Sequence, residues 1–578
     1  MIKVSDYIIN FFESKNIDTA FTVSGGGCIH LIDSLRKSEK INTYCVHHEQ
    51  SALMASEGYT RETGRLSLNI VTTGPGGTNA ITGLLGMWLD SIPGIIISGQ
   101  VPSSQLSKGT GCRQIGDQEF DIIKTVESCT KYCSIITDPT QLSYELEKAY
   151  SIATTGRPGP VWIDVPLDIQ GSFIEVANQD LEVFDTNYEI DNQEVNEFTK
   201  LLSEAKKPLM IVGNGIRLAD SYDLLNECLN KINIPVVTGP HSGVDAVDNS
   251  YKYYSGRIGI LGQITSNQIV QEADLLIIIG SRCPVKMTGY NIKEFSPNSK
   301  KIIIDIDEHE ISKHKFKIDL KINKDLKSFL QKLLKIEFNL SIDEWQSYVL
   351  ETRSKQIYYY PKHINLENYM SMYYFTYVMK DLLSDQSIIT SNGTAHVVPL
   401  QMYRLNKNQR LFTNVGCASM GYGLPAAIGA CIGRKKQVLC FEGDGSIMMN
   451  LQELQTAKHH DLPIVIFIIN NDGYLSIKMT QESFFEGKMF ASGSANGVTL
   501  PNYEKIAQAF DIKYFSIKNN QEIETKLKEV IDLNKLCIVE LFCHPNEKHE
   551  PKVMSKGIDA NGKIIPGSLT DMAITEGF

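Results

Sequence analysis

The chain of 578 residues carries a formal net charge of −11, with 42% hydrophobic and 21% charged residues. That length exceeds what one core sustains and predicts about three domains. The acidic balance speaks against the basic footprint of a nucleic-acid binder, and no apolar run approaches the roughly 18 residues of a membrane span, so neither nucleic acid nor membrane is expected as a partner.

Residues 1–21 set Lys3, Asp6, Glu13 and Lys15 among apolar positions, which predicts an amphipathic helix and not a signal peptide. Strand-like and helix-like pieces then alternate to residue 170. LSLNIVTTGPGGTNAITGLLGMWLDSIPGIIISG reads as strand, Gly/Pro turn, helix, strand. Residues 170–193 are polar and acid-rich and read as a linker. A second block, 195–335, repeats the alternation, with strands expected at PLMIVG, IPVVTG, DLLIIIGS and KIIIDID. Ten lysines between 300 and 335 read as a solvated face, with a phosphate patch as the alternative. GNGIRL at 213–218 begins like a dinucleotide loop but ends in Leu218, and no GxxxxGK[ST] loop is present.

A second linker, 338–364, holds IYYYPKH, whose tyrosines are expected to pack an interdomain seam. The third block, 365–545, has strands expected at QSIITSN, QVLCFEG, PIVIFIINN and CIVELF, and the tail 546–578 is polar and Gly-rich and is expected to drape over a site or interface. Strands alternating with helices imply parallel sheets, so the expected fold is α/β: three doubly wound parallel-sheet domains at 1–170, 195–335 and 365–545. Twelve scattered cysteines without a C-x-x-C pair point to free thiols in a reducing cytosol and away from a zinc site; a cytoplasmic protein is expected.

Within the third block, GDG at 443–445 follows an apolar strand, and the pair Asn470–Asn471 closes the next strand, 27 residues after Asp444. Between them, Leu451, Leu454 and Ala457 share one face of a helix that Pro463 stops. Acid and amide therefore both sit at strand carboxyl ends, the edge where open parallel sheets bind ligands. If the two strands are neighbours, Asp444 and Asn471 converge. Two oxygen ligands suit Mg²⁺, which takes its remaining ligands from water and a phosphate. Gly443 and Gly445 permit close backbone approach to such a phosphate, and Ser446 can donate to it. The alternative is two unconnected turns.

GDG followed at this distance by NN resembles the thiamine diphosphate enzymes, whose metal ligands would here be Asp444, Asn471 and the Gly473 carbonyl. The resemblance runs along nearly the whole chain and is closest to the acetolactate synthase group. It is carried by HHEQSALMASEGYTRETGR, TTGPGGTNAITGL, DSIPGIIISGQV, GRPGPVWIDVP and GYGLPAAIGA. It implies a thiamine diphosphate- and Mg²⁺-dependent transferase or lyase in which Glu49 engages the cofactor pyrimidine and Met420 wedges beneath the folded cofactor. His47 and His48, beside Glu49, are read as structural or as proton carriers. Gly25, Gly26 and Gly27 match a loop near the pyrimidine, and Pro75 and Asn79 belong to the same cofactor shell. Gln118 matches a pocket glutamine. Gly393, Thr394, Ala395 and His396 match a second diphosphate loop, without the family's usual Gln-His pair, and Tyr474 follows the metal ligands. FAD on the middle domain is also admitted: Arg157 matches one of its contacts, or else ties the first domain to its linker.

The resemblance further implies a 2-keto acid substrate such as pyruvate, a carbonyl acceptor, and a homodimer or homotetramer with the site shared by two chains. Two departures bear on the acceptor. No tryptophan follows Trp345, where the group has one that shapes the pocket for a second 2-keto acid, and Lys478 and Gln481 are expected to make the pocket more polar. NNDGYLSI, GSRCPVKMTGYN and GSLTDM look like a branch associated with surface-sugar synthesis, so a nucleotide-linked ketosugar is the expected acceptor. Acetolactate formation, simple decarboxylation and a non-catalytic subunit are the alternatives.

Overall fold

The computed structural model describes residues 1–175, 190–240, 243–559, 561, 564–575 and 577. The linker expected at 170–193 lies mostly outside the described residues. Among the described residues, no helix is long and apolar enough to cross a membrane.

Three six-stranded parallel sheets organise the chain. The first contains β1 (Thr19–Thr22), β2 (Asn42–Cys45), β3 (Leu68–Val71), β4 (Gly94–Gln100), β5 (Tyr132–Ile135) and β6 (Pro160–Pro166). The second contains β7 (Pro208–Val212), β8 (Val236–Thr238), β9 (Tyr254–Arg257), β10 (Leu275–Ile279), β11 (Lys300–Ile304) and β12 (Leu320–Ile322). The third contains β13 (Ser387–Thr390), β14 (Leu411–Phe412), β15 (Val438–Gly443), β16 (Ile464–Asn470), β17 (Lys513–Ile517) and β18 (Cys537–Phe542). The first sheet is ordered β2-β1-β3-β4-β6-β5 and the third β14-β13-β15-β16-β18-β17, the same arrangement. The middle sheet differs: β9-β8-β7-β10-β11-β12, the order of dinucleotide-binding folds. The central strands are apolar on both faces because helices cover both, as a parallel sheet requires.

One element was misread from the sequence. The amphipathic helix ends at Ser14, and Thr19–Thr22 is a fully buried strand. The break falls at Asn16, whose φ of 60 no helix continues through. The lysines of 300–335 are mostly solvated, as expected, apart from Lys301, which is buried on the Ser296 and Ser299 carbonyls. Tyr358 and Tyr359 pack against the core around β13.

First and third sheets meet through two helices, Glu49–Thr63 and Gly423–Arg434. A Cβ on Gly58 would lie 2.1 Å from the Ala426 carbonyl oxygen, and one on Gly429 only 1.8 Å from that of Ala55. The two backbones touch at these glycines, which sets the angle at which Glu49 is presented. Gly429→Val should therefore force the helices apart and destabilise the fold by roughly 1–3 kcal/mol or more, as overpacking does. A lowered thermal unfolding temperature checks it; an unchanged one would mean the helices can separate freely.

Candidate active site

Strands β15 and β16 are neighbours in register, Val438 beside Ile464 through Gly443 beside Ile469. Their carboxyl ends bring Asp444 and Asn471 together. The backbone N–H groups of Asn471 and Gly473 both donate to Asp444 Oδ2, at 3.0 and 2.9 Å, and that of Gly445 donates to Oδ1 at 2.7 Å. Asp444 is 1% exposed. Burial raises its carboxyl to about 6, against the pull of those three N–H groups. A buried carboxylate in this state calls for a cation. Lys478 does not supply contact, because its Nζ is held by Asp472 Oδ2 at 2.9 Å and by the Asp472 carbonyl.

Asn471 donates its Nδ2 to Thr394 Oγ1 at 3.2 Å, which leaves its Oδ1 without a hydrogen-bond partner among the described residues. Among the described residues, no group of three or more His, Cys, Asp or Glu side chains could form a metal cage. The donor set is thus one carboxylate, one amide oxygen and backbone carbonyls, which fits Mg²⁺ completed by phosphate and water.

Around this pair the third sheet gathers the other expected residues. Gly393 sits at φ 62 before the Thr394–Met402 helix, and Thr394 and Ala395 present first-turn N–H groups. His396 is buried in the same turn. Met420 is half-buried, and the next residue, Gly421, donates its N–H to Ser446 Oγ at 2.9 Å. Ser446 in turn donates to Ser391 Oγ at 3.3 Å. Gly445 is a glycine for a different reason from the one expected. A Cβ there would lie 2.3 Å from the Tyr474 ring, so the residue makes room for an aromatic side chain; Gly443 meets nothing closer than 3.6 Å.

The first sheet builds a second cluster. Glu49 opens the Glu49–Thr63 helix, is 7% exposed, and accepts from Asn79 Nδ2 at 3.0 Å on Oε2. Its Oε1 lies near Gly76. Asn79 and Pro75 stand exposed on the Pro75–Leu89 helix. Gly25 packs on Thr72, Gly27 donates to Thr72 Oγ1 at 3.1 Å, and Gly26 faces open space. Gln118, exposed at φ 61, brings its carbonyl against Gly74. His48 accepts from Gln50 N–H at 3.1 Å as a helix cap, and His47 donates its backbone N–H to Glu453 Oε1 at 3.1 Å.

Ser51 bonds Asn450 of the third sheet at 3.1 Å. Glu49, two positions earlier and about 200° around the helix, bonds Asn79 of the first domain instead.

Two expectations about the pocket are corrected. Lys478 is 9% exposed and tied to Asp472, and Gln481 accepts from Ser492 Oγ at 2.8 Å while donating to the Phe490 carbonyl at 2.7 Å. Both pin the segment after Asn471 to itself. Arg157 binds Ser91 Oγ, Asp307 and Glu310, each at 2.8 Å. It joins the first sheet to the middle one, not to the linker, and lines the cavity at the middle sheet's carboxyl edge.

The sequence reading missed His549. This tail residue is 5% exposed, and its Nε2 lies 3.0 Å from Thr394 Oγ1. Burial holds it down to about 4, so it is neutral near pH 7 and can accept the Thr394 proton. The Thr394 hydroxyl is therefore committed to His549 and Asn471. Nothing in the local pattern of the tail could have revealed this, because the partners lie 155 residues apart.

The sequence matches three profiles of one family: thiamine pyrophosphate enzyme, N-terminal TPP binding domain, over residues 2–124; its central domain, over 195–333; and its C-terminal TPP binding domain, over 391–541. The chain is similar to the acetolactate synthase isozyme 2 large subunit of Escherichia coli (strain K12), at 31% identity over 91% of this chain and 93% of that one. It is also similar to the isozyme 1 large subunit of the same organism, at 30% over 95% of each, and to the acetolactate synthase large subunit of Lactococcus lactis subsp. lactis (strain IL1403), at 29% over 95% and 94%. With all three profiles in order on three parallel sheets, the chain belongs to the thiamine diphosphate-dependent enzymes of the acetolactate synthase group.

Proposed function

We propose that the chain is a thiamine diphosphate- and Mg²⁺-dependent carboligase that decarboxylates pyruvate or a similar 2-keto acid and transfers the activated aldehyde to a carbonyl acceptor. The observation that carries the reading is the buried Asp444 carboxylate, fixed by the Asn471 and Gly473 amides beside Asn471 Oδ1. Asp444, Asn471 Oδ1 and the Gly473 carbonyl hold Mg²⁺, and the first-turn N–H groups of Thr394 and Ala395 bind diphosphate oxygens. Thiamine diphosphate supplies a carbanion-stabilising thiazolium when bound. Glu49, steadied by Asn79 on Oε2, keeps Oε1 for the pyrimidine and shares a proton with it. Gly25, Gly26, Pro75 and Gln118 line the same side, and Met420 supports the cofactor from beneath.

In this reading the complete site is assembled from two chains, one giving Glu49 and the other Asp444. Asn79 and Leu85 on the Pro75–Leu89 helix and Met448 and Met449 after the GDGS turn are exposed surfaces of the kind a second copy covers. The assembly is a homodimer or homotetramer, in the cytoplasm.

FAD fits the middle sheet. Its strand order reverses between β7 and β10, and there a cavity of about 690 Å³ opens, lined by Asn214, Gly215, Gly280, Arg282 and Arg157. Arg157 and Arg282 line this cavity already paired with Glu310, so they do not supply its diphosphate site. Protein prepared with FAD should release flavin on denaturation, and its absence would remove FAD from the reading.

His549 steadies the metal ligand Asn471 through Thr394. His549→Phe should weaken Mn²⁺ binding in the presence of thiamine diphosphate ~10-fold or more, as loss of an outer-shell partner does. His549→Gln, which keeps an acceptor, should recover part of it. Equal affinity in both variants and the parent protein would reduce His549 to packing.

The acceptor is a bulkier carbonyl compound such as a nucleotide-linked ketosugar. The missing tryptophan after Asn471 supports this; Lys478 and Gln481 do not, being engaged elsewhere. The relatives' names favour a second reading, in which the acceptor is another 2-keto acid and the product an acetolactate. Incubation with pyruvate, thiamine diphosphate and Mg²⁺, with and without a nucleotide-linked 4-ketosugar, separates the two by mass spectrometry. A branched sugar product supports the first; rapid acetolactate formation unaffected by the ketosugar establishes the second.

A further inference from the structure

A second cavity, of about 280 Å³, lies between β9, the Asp343–Ser354 helix with the residues after it, and the end of the Thr394–Met402 helix. Arg257, Arg353 and Arg404 all line it, and among the described residues no aspartate or glutamate does. Arg257 is 2% exposed. Its Nη1 reaches the Pro399 carbonyl at 3.4 Å, but its Nε and Nη2 have no hydrogen-bond partner among the described residues. Arg353 is half-buried and donates one Nη to the carbonyls of Lys252 and Tyr254, at 2.7 and 2.9 Å. Burial and the neighbouring Arg404 pull Arg353 below its usual value. Arg404 and Ser354 are exposed and form the mouth.

This arrangement is costly without a ligand. A buried guanidinium is tolerated when it is paired or fully hydrogen-bonded, and here one is neither while two more cations stand beside it. Elsewhere in the chain buried arginines are answered: Arg61 by Glu57 and Asp90, Arg410 by Asp245, Arg434 by Glu62. Planar guanidinium forks match the oxygens of phosphate in pairs. The volume sits just under the roughly 300–1,000 Å³ of drug-sized pockets, enough for a phosphate with a short carbon chain and too little for a nucleotide.

We propose that this cavity is a binding site for a phosphate group, as orthophosphate or as the monoester of a small metabolite, with Arg257 at its floor and Arg353 and Arg404 closing on it. The site is separate from the catalytic clusters. It lies at the far end of the nine-residue Thr394–Met402 helix, about 12 Å along its axis from Thr394. Arg257 and Gln263 grip that helix by the Pro399 and Gln401 carbonyls. Occupancy therefore braces the helix whose first turn belongs to the metal cluster.

The test is calorimetric titration of the full-length protein, saturated with thiamine diphosphate and Mg²⁺ so that the diphosphate cradle is filled, in phosphate-free buffer. Orthophosphate and glycerol 3-phosphate are the two probes. One saturable site per chain is expected, weakened ~10-fold or more in each of Arg257→Met and Arg353→Met, as loss of a charge-assisted bond predicts. Arg282→Met, at the larger cavity, should leave it unchanged. Arg404→Met, at the exposed mouth, keeps the test open if Arg257→Met fails to fold, and should also weaken binding. Orthophosphate alone binding identifies the free ion; the ester binding more tightly identifies a phosphorylated metabolite. No saturable binding of either probe, or binding untouched by Arg353→Met and Arg404→Met, overturns the proposal. If thiamine diphosphate itself fails to bind, the functional reading fails first, and the same titration on the apo protein with the same variants still decides this site.

Discussion

Asp444→Ala should abolish useful cofactor binding in the presence of Mg²⁺. The carboxylate is 1% exposed, so the charge it offers a cation is unscreened by water. Removing one partner of a buried charge pair typically costs about 3–5 kcal/mol, which corresponds to a ~10²–10⁴-fold loss of affinity. The variant also strands the Asn471 and Gly473 amides that Asp444 now accepts from. Thiamine diphosphate titrations with and without Mg²⁺ check it, alongside the unfolding temperature of the apo protein as a control for folding. Parent-like affinity in a folded Asp444→Ala protein would mean that the carboxylate is not a metal ligand.

Glu49→Gln should have the opposite profile: cofactor bound, turnover lost. An amide still accepts from Asn79 Nδ2, so the local geometry survives, but it cannot share a proton with a ring nitrogen. Groups of this kind are worth ~10²–10⁴-fold in rate, and the loss should fall in kcat while cofactor affinity moves little. The shared site adds a sharper outcome. Glu49→Gln and Asp444→Ala subunits, each inactive alone, should regain activity when mixed under subunit exchange, because a mixed pair holds one site with both groups intact. Parent-like turnover of Glu49→Gln removes it from the mechanism. No recovery despite demonstrated exchange would place the whole site within one chain.

The sequence by itself determined the local structure and the chemistry carried within one stretch of it. Apolar runs bounded by turn residues fixed β15, β16 and most other strands, because alternation and burial are written into neighbouring positions. The 27-residue interval from Asp444 to Asn471 put both at strand carboxyl ends. The N-terminal helix was overextended because the buried strand Thr19–Thr22 continues the same apolar spacing past Asn16, and only a backbone angle marks the break.

What the tertiary structure decided were contacts between distant segments, which no local period encodes. Strand order made β15 and β16 neighbours, and it separated the middle sheet, built like a dinucleotide fold, from the other two. Helix rotation turned Glu49 toward Asn79 while Ser51 took the bond to Asn450. Lys478 and Gln481 read as pocket residues by position, yet each found a partner nearby, because a polar side chain brought out of water must bond to something. His549 and the three arginines Arg257, Arg353 and Arg404 gained their meaning from chain ends and linkers folding over elements far away in sequence. A lone polar residue in a polar tail carries no signal of burial until the surface that buries it is known.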